Sequence, residues 1–212
     1  AMDEAFAQAT LQFQRAENPR EAAALTLDRA AIRLTMGWEV SLASGLLTQA
    51  QALYPAHAKD EEFMARYATY RSFNATFASD KKETELWYAR SRTHADSGLK
   101  GTLPRTVLAV RSLAYLDRLM NQPLDGVQRL ASLLGRLQAD KKSLPSDVLG
   151  PLAELGNSEW TAGRYRAAME RYDAALLLCQ TSLNARGDDC TYSQGYRAQL
   201  LLLLGLDDLA ME

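Results

Sequence analysis

The sequence predicts an all-α fold built from helical hairpins, and three observations predict it. Leu (35) and Ala (34), the strongest helix formers, dominate the composition, while the sheet-favouring pair is almost missing, with five Val and one Ile. Apolar residues recur at intervals of three and four throughout, the signature of helix faces. Gly, Pro and Asn then cut this pattern into about ten segments of ordinary helix length. A chain of 212 residues is long enough to bury a sizeable core.

The elements follow from these breakers in order. A first helix over Asp3–Glu17 ends at Asn18-Pro19. Gly37 divides Arg20–Met36 from Trp38–Tyr54, which Pro55 closes. Asp60–Ala78 and Lys81–Ser97 flank Ser79-Asp80. Gly98–Pro104, GLKGTLP, is the loosest linker, and Leu103–Asn121 and Pro123–Ala139 follow it, Pro123 being suited to a first helical turn. Lys141–Pro145 is a second linker. Asp147–Thr161, Arg164–Leu183, Tyr192–Leu204 and Asp207–Glu212 complete the chain. Neighbouring helices joined by short turns make αα-hairpins. They are expected over 20–55, 60–97, 103–139, 147–183 and 192–212, with an extra helix over 3–17. All belong to one domain, 1–212, expected to be part of a larger protein because Ala1-Met2 reads as the residue of an expression tag.

These hairpins are copies of one unit. Its clearest spelling is Leu152–Ala175, LAELGNSEWTAGRYRAAMERYDAA. Leu152, Leu155 and Gly156 stand on its first helix, Gly163 and Tyr165 at the turn, and Ala168, Tyr172 and Ala175 on its second. The spacing resembles the tetratricopeptide (TPR) repeat, with one departure at Glu159, where that family carries an aromatic; Trp160 stands one place later. Small residues at Gly156, Ala168 and Ala175 let two helices approach while the larger ones fill the space between. Weaker copies run through Leu27, Ala30, Ala31, Leu34, Ala43, Leu47 and Ala50, through Val110, Leu113, Ala114, Gly126, Leu130 and Leu133, and through Gln194, Ala198, Leu201, Gly205 and Ala210. The small positions Ala114, Gly156 and Ala198 are evenly spaced and set a period of about 42 residues. A degenerate copy falls near Ser72. The resemblance implies a right-handed α-α superhelix, a TPR-like solenoid with a period longer than the family's usual one.

It further implies a concave face lined by the first helix of each hairpin. Carried over position by position, that face presents Asn157 and Trp160 in the best copy, Arg111, Tyr115 and Arg118 in the preceding one, and Arg66, Phe73 and Phe77 in the degenerate one. Guanidinium forks accept carboxylates and aromatic faces grip apolar side chains, so the ligand implied is a protein or peptide with an acidic or C-terminal carboxylate end. Each residue also has a plainer reading. Phe73 and Phe77 suit a core, and Arg111 and Arg118 suit pairing with neighbours such as Asp117 or Glu154.

Charge and cysteines bound the remaining functions. With 24 basic against 26 acidic residues and a formal charge of −2, there is no basic excess to neutralise a nucleic acid. The longest apolar run, Leu200–Leu206, is far too short to span a bilayer. Because Leu200–Leu204 is apolar on every face, it also suggests a homodimer through the terminal hairpin. Cys179 and Cys190 flank a polar loop and would meet across it if the flanking helices are antiparallel; a disulfide there would imply an oxidising compartment. Two free thiols in a reducing cytosol is the alternative.

Catalytic chemistry finds little footing. His57 and His94 are the two histidines, and Asp96, two residues beyond His94, points to another side of the same helix. No nucleophile elbow, phosphate loop, metal-ligand cluster or cofactor fingerprint occurs. The expectation is therefore a non-catalytic protein- or peptide-binding repeat module without metal or cofactor. Its expected setting is the extracytoplasmic, periplasmic input region of a bacterial signalling protein. The alternative is a cytosolic module of a transcriptional regulator or a free-standing adaptor.

Overall fold

A computed structural model describes residues 2–37, 39–182 and 188–206, with only the backbone course at 2, 3, 36, 37 and 188. Among the described residues there are ten α-helices and no strand. They are α1 Met2–Arg15, α2 Pro19–Ile32, α3 Val40–Leu53, α4 Glu61–Phe77, α5 Lys81–Gly98, α6 Pro104–Leu119, α7 Pro123–Ala139, α8 Pro145–Thr161, α9 Tyr165–Thr181 and α10 Asp188–Leu203. The segment expected over Asp207–Glu212 lies outside the described residues.

Local chemistry sets the helix starts. Asn18, Asp60 and Asp80 each place a side-chain oxygen on the main-chain N–H three residues on, at 3.0–3.2 Å, which satisfies a donor that the first helical turn leaves without a partner. Pro19, Pro104, Pro123 and Pro145 occupy first-turn positions where no N–H is needed. One cap works in reverse: Asp147 reaches back to accept the Leu144 N–H at 2.8 Å.

The ends of α4, α6, α8 and α10 repeat in register. Ser79, Asn121, Gly163 and Gly205 follow one another at the repeat period, and all have left-handed φ values of 58–75°. In each, that residue's N–H bonds back three residues and the next N–H bonds back five, the paired pattern that closes a helix end. The turn after α2 is different, a π-helical segment over Arg33–Gly37.

The helices form two compact units, Ala1–Lys100 and Gly101–Glu212, the division falling in the Gly98–Pro104 linker. In the first unit α2 packs on α3, and α4 is covered by α5, α3 and α2. Its core includes Leu27, Leu34, Leu47, Phe63 and Tyr70, with Ala30, Ala31, Ala43 and Ala50 at the closest approaches. Ser72, the small residue of the degenerate copy, is fully buried and donates its hydroxyl to the Thr84 carbonyl.

In the second unit α6 pairs with α7 and α8 with α9, while α8 also packs on α6, α7 and α10. Leu113, Leu116, Leu130, Leu133 and Leu137 fill the space between them. Tyr172 lies flat against Gly156: a Cβ there would stand 2.6 Å from its ring. The close packing that the small residues require is thus present between α8 and α9. Cys179 near the end of α9 and Cys190 in the first turn of α10 are joined by a disulfide with Cα atoms 6.0 Å apart.

Candidate functional site

The second unit carries a pocket at the C-terminal ends of its first-of-pair helices. Arg118 of α6, Asn157, Trp160 and Thr161 of α8, and Tyr196 and Gln199 of α10 line an open space of about 460 Å³. A shared phase along the helices brings them together. Asn157 and Gln199 are one repeat period apart, as are Arg118 and Trp160, and so hold equivalent places on successive helices. Three of the residues expected at a binding face, Arg118, Asn157 and Trp160, therefore meet here.

The polar groups beneath the pocket are bonded among themselves. Arg118 holds the Glu154 carboxylate at 2.7 Å, both side chains being largely buried. Burial pushes the Glu154 carboxyl above its ordinary range, and the Arg118 and Arg111 charges offset only part of that. Asn157, buried against α9, accepts the Tyr172 hydroxyl at 2.7 Å. Tyr172 is itself fully buried, so its phenol is raised by desolvation and stays a donor at neutral pH. The Arg118 guanidinium also lies 5.1 Å from the Tyr115 ring centroid.

Aromatic rings form the wall towards α10. Trp160 meets Tyr196 edge-on at 6.3 Å, and Tyr196 stacks between Tyr172 at 6.2 Å and the exposed Tyr192 at 6.5 Å. Trp160 and Tyr196 rest on the small core of Ala168, Tyr172 and Leu200, which fixes the orientation of both rings. Tyr192, Tyr196 and Gln199 escaped the sequence reading. The signal was present: Tyr196 lies one period after Glu154, and Gln199 one period after Asn157.

Arg111, midway along α6, reaches towards the N-terminal ends of α8 and α10. Its guanidinium contacts both carboxylate oxygens of Asp189, at 2.7 and 3.4 Å. The plainer reading of both arginines, pairing with neighbouring acids, describes what the structure places there.

The residues expected on the degenerate copy are placed otherwise. Arg66 is 1% exposed and bonded to Asp28 in the first unit, and Phe73 is buried. Phe77 is half-buried and packs edge-to-face on Phe73 at 4.8 Å. The reason is the covering of α4 by three other helices, which leaves little of it to form an open face. At the chain's far end Leu200 and Leu201 are buried, whereas Leu202, Leu203, Leu204 and Leu206 are exposed.

Among the described residues no group of acidic, Cys or His side chains is arranged to hold a metal ion, and no helix is long and apolar enough to cross a membrane. His94 is held by Glu61 at 2.8 Å on the surface of the first unit, with Ser97 on the same carboxylate oxygen.

Hairpins of paired helices and turns that recur in one register define a TPR-like helical-repeat fold. Solved structures carry the same fold. BtubC (BKLC) from P. vanneervenii superposes with a TM-score of 0.69 at 12% identity, over 98% of this chain and 85% of its own. A putative kinesin light chain from Podosopora anserina with nearly identical TPR-like repeats superposes at 0.65 and 18% identity, over 92% of this chain and 91% of its own. No family model and no curated protein matches the sequence.

Proposed function

We propose that this chain is a non-catalytic peptide-binding module whose anchor site is the pocket of Arg118, Asn157, Trp160, Tyr196 and Gln199. The observation that carries the reading is this convergence of polar ends and aromatic edges from three helices on one open space. A preformed rigid surface of this kind binds without first having to order itself. Recognition there draws on aromatic edges and side-chain amides more than on free charge, because Glu154 holds Arg118 and Asp189 holds Arg111. An acidic ligand end would have to share Arg118 with Glu154.

The test is a random peptide library displayed on phage and panned against the whole protein. Enriched peptides are then measured by fluorescence anisotropy on the wild type and on Gln199→Lys, an exposed change at the pocket rim. Enrichment of binders that Gln199→Lys weakens supports the site. Failure to enrich any peptide, or equal affinity for both proteins, overturns it.

The same proposal places the module outside the cytoplasm, as the input region of a bacterial signalling protein, and the Cys179–Cys190 disulfide supports that setting. Alkylation of the protein in acid-quenched source cells, without reductant, should leave both cysteines unmodified. Two alkylated thiols would place it in a reducing compartment. The exposed leucines at the end of α10 support self-association, which a monomeric mass at micromolar concentration would remove.

A further inference from the structure

We infer that the Cys179–Cys190 disulfide is a redox latch. It holds the first half of α10 against α9, and reduction by a dithiol releases that half and takes down α10's share of the anchor pocket. The part that concerns the pocket rests on the peptide-binding reading above.

The bond stands where a thiol can meet it. Cys179 and Cys190 are both half-buried, and both line an open groove of about 930 Å³ between α9 and α10, beside Leu177, Gln180 and Thr191. A disulfide at such a surface can exchange without the fold having to open first, unlike one sealed in a core.

The bond also stands where the helix depends on it. The first half of α10, 188–195, reads DDCTYSQG and brings no Leu, Ile, Val, Met or Phe to the packing. Tyr192 is exposed, and the buried Ser193 turns its hydroxyl onto its own helix, at the Asp189 carbonyl. Besides the disulfide, Asp189 ties this half to Arg111 of α6, but both side chains are partly exposed and such pairs hold little. Apolar anchoring starts at Tyr196, stacked on Tyr172, and continues at the buried Leu200 and Leu201. What is left after 195 is too short to stand as a helix by its own hydrogen bonds. Fraying from the freed end therefore reaches Tyr196 and Gln199, which line the pocket.

The chemistry is thiol–disulfide exchange. One thiolate of the dithiol attacks a cysteine sulfur, forms a mixed disulfide and expels the other cysteine as a thiolate. The second thiolate of the dithiol then displaces the first cysteine. Two electrons pass to the protein, the two cysteine thiolates take up protons, and the reductant leaves as its own disulfide. The cysteines are 11 residues apart, so they meet again at little cost in chain entropy and an oxidant can close the latch.

The experiment treats the whole protein, without denaturant, with dithiothreitol at neutral pH. Alkylation and mass spectrometry count the thiols, and hydrogen–deuterium exchange compares the two forms. Both cysteines should be alkylated, and amides over 190–201 should exchange roughly tenfold faster or more, while those of α6 to α8 change little. Oxidised glutathione should restore slow exchange. The Cys179→Ser, Cys190→Ser double variant should match the reduced protein with and without reductant. A bond that resists reduction until the whole chain unfolds overturns the latch, as do α10 amides that stay protected after reduction or stay fast after reoxidation. Reduction that unfolds α6 to α9 as well also overturns it, since the bond would then be a staple of the whole fold. None of these readouts needs a ligand. If the panned library yields nothing, the peptide-binding reading falls, and exchange still decides the latch.

Discussion

Arg111 and Asp189, 78 residues apart in sequence, make a two-point ion pair that passes directly over Gly150 of α8. A Cβ at Gly150 would stand 2.3 Å from Arg111 Nη1 and 2.8 Å from Asp189 Oδ2. The glycine therefore serves the ion pair, since the helix there would accept any good helix former. In Gly150→Ala the flexible guanidinium has to move, and the pair breaks. Half-exposed pairs contribute only ~0–1 kcal/mol, and Ala in a helix interior recovers up to ~1 kcal/mol over Gly. The melting temperature should barely change. The coupling between Arg111 and Asp189, read from a double-mutant cycle, should be present in the wild-type background and absent on Gly150→Ala. A coupling that survives would show that the pair does not need the glycine.

Gly156 and Tyr172 behave in the opposite way. Both are buried, and the ring that a new methyl would strike is held at its hydroxyl by Asn157. Nothing flexible can yield, so Gly156→Ala should overpack the hairpin and cost roughly 1–3 kcal/mol in chemical denaturation, as should Ala168→Leu. Tyr172→Phe leaves the buried Asn157 carbonyl without its partner and should cost a similar ~1–3 kcal/mol. Wild-type stability in all three would mean that α8 and α9 do not pack as described.

The Cys179–Cys190 crosslink closes a short loop between α9 and α10. In the chain-entropy model a loop of this length is stabilised by about 3 kcal/mol, through restriction of the unfolded chain. Melting curves with and without a dithiol reductant should differ accordingly, and the Cys179→Ser, Cys190→Ser double variant should melt where the reduced wild type does. Coincident curves for oxidised and reduced protein would show that the bond adds no stability.

Asp60 gives the first unit an acid dependence. Burial raises its carboxyl, but the hydrogen bond from Arg20 and the Phe63 N–H outweigh that, leaving it below its ordinary value of 3.8. A lowered folded-state value means that the unfolded chain binds the proton more readily. The stabilisation is therefore complete above the unfolded value and is lost as pH falls through the folded one. Asp60→Asn keeps the helix cap and loses the ion pair with Arg20. Wild type should be the more stable protein at neutral pH, and the gap should close as pH drops below 3.8. A gap independent of pH would assign the difference to capping geometry and remove the ion pair from the account.

Much of the fold was legible because it repeats. The spacing of Ala114, Gly156 and Ala198 carries the register, and the same register places the left-handed turns at Ser79, Asn121, Gly163 and Gly205. Gly163 and Gly205 advertise such turns; Ser79 and Asn121 do so only when counted from them. The site was legible in part. Arg118, Asn157 and Trp160 follow from the best-spelled copy and the one before it, and Tyr196 and Gln199 follow from the register once it is extended to α10. Arg66 and Phe73 could not be placed this way, because their helix is covered on several sides by neighbours distant in sequence.

The sequence by itself determined the helices, their pairing and their period, since helix propensity, capping and small-residue spacing act over a few turns of chain. Only the tertiary structure decided which of the polar residues are engaged: Arg118 with Glu154, Arg111 with Asp189, and Asn157 with Tyr172. Those choices depend on distances between helices, and a small shift in spacing separates a bonded guanidinium from one open to a ligand. Local patterning places a side chain on a face, but it does not say what the opposite face will bring to meet it.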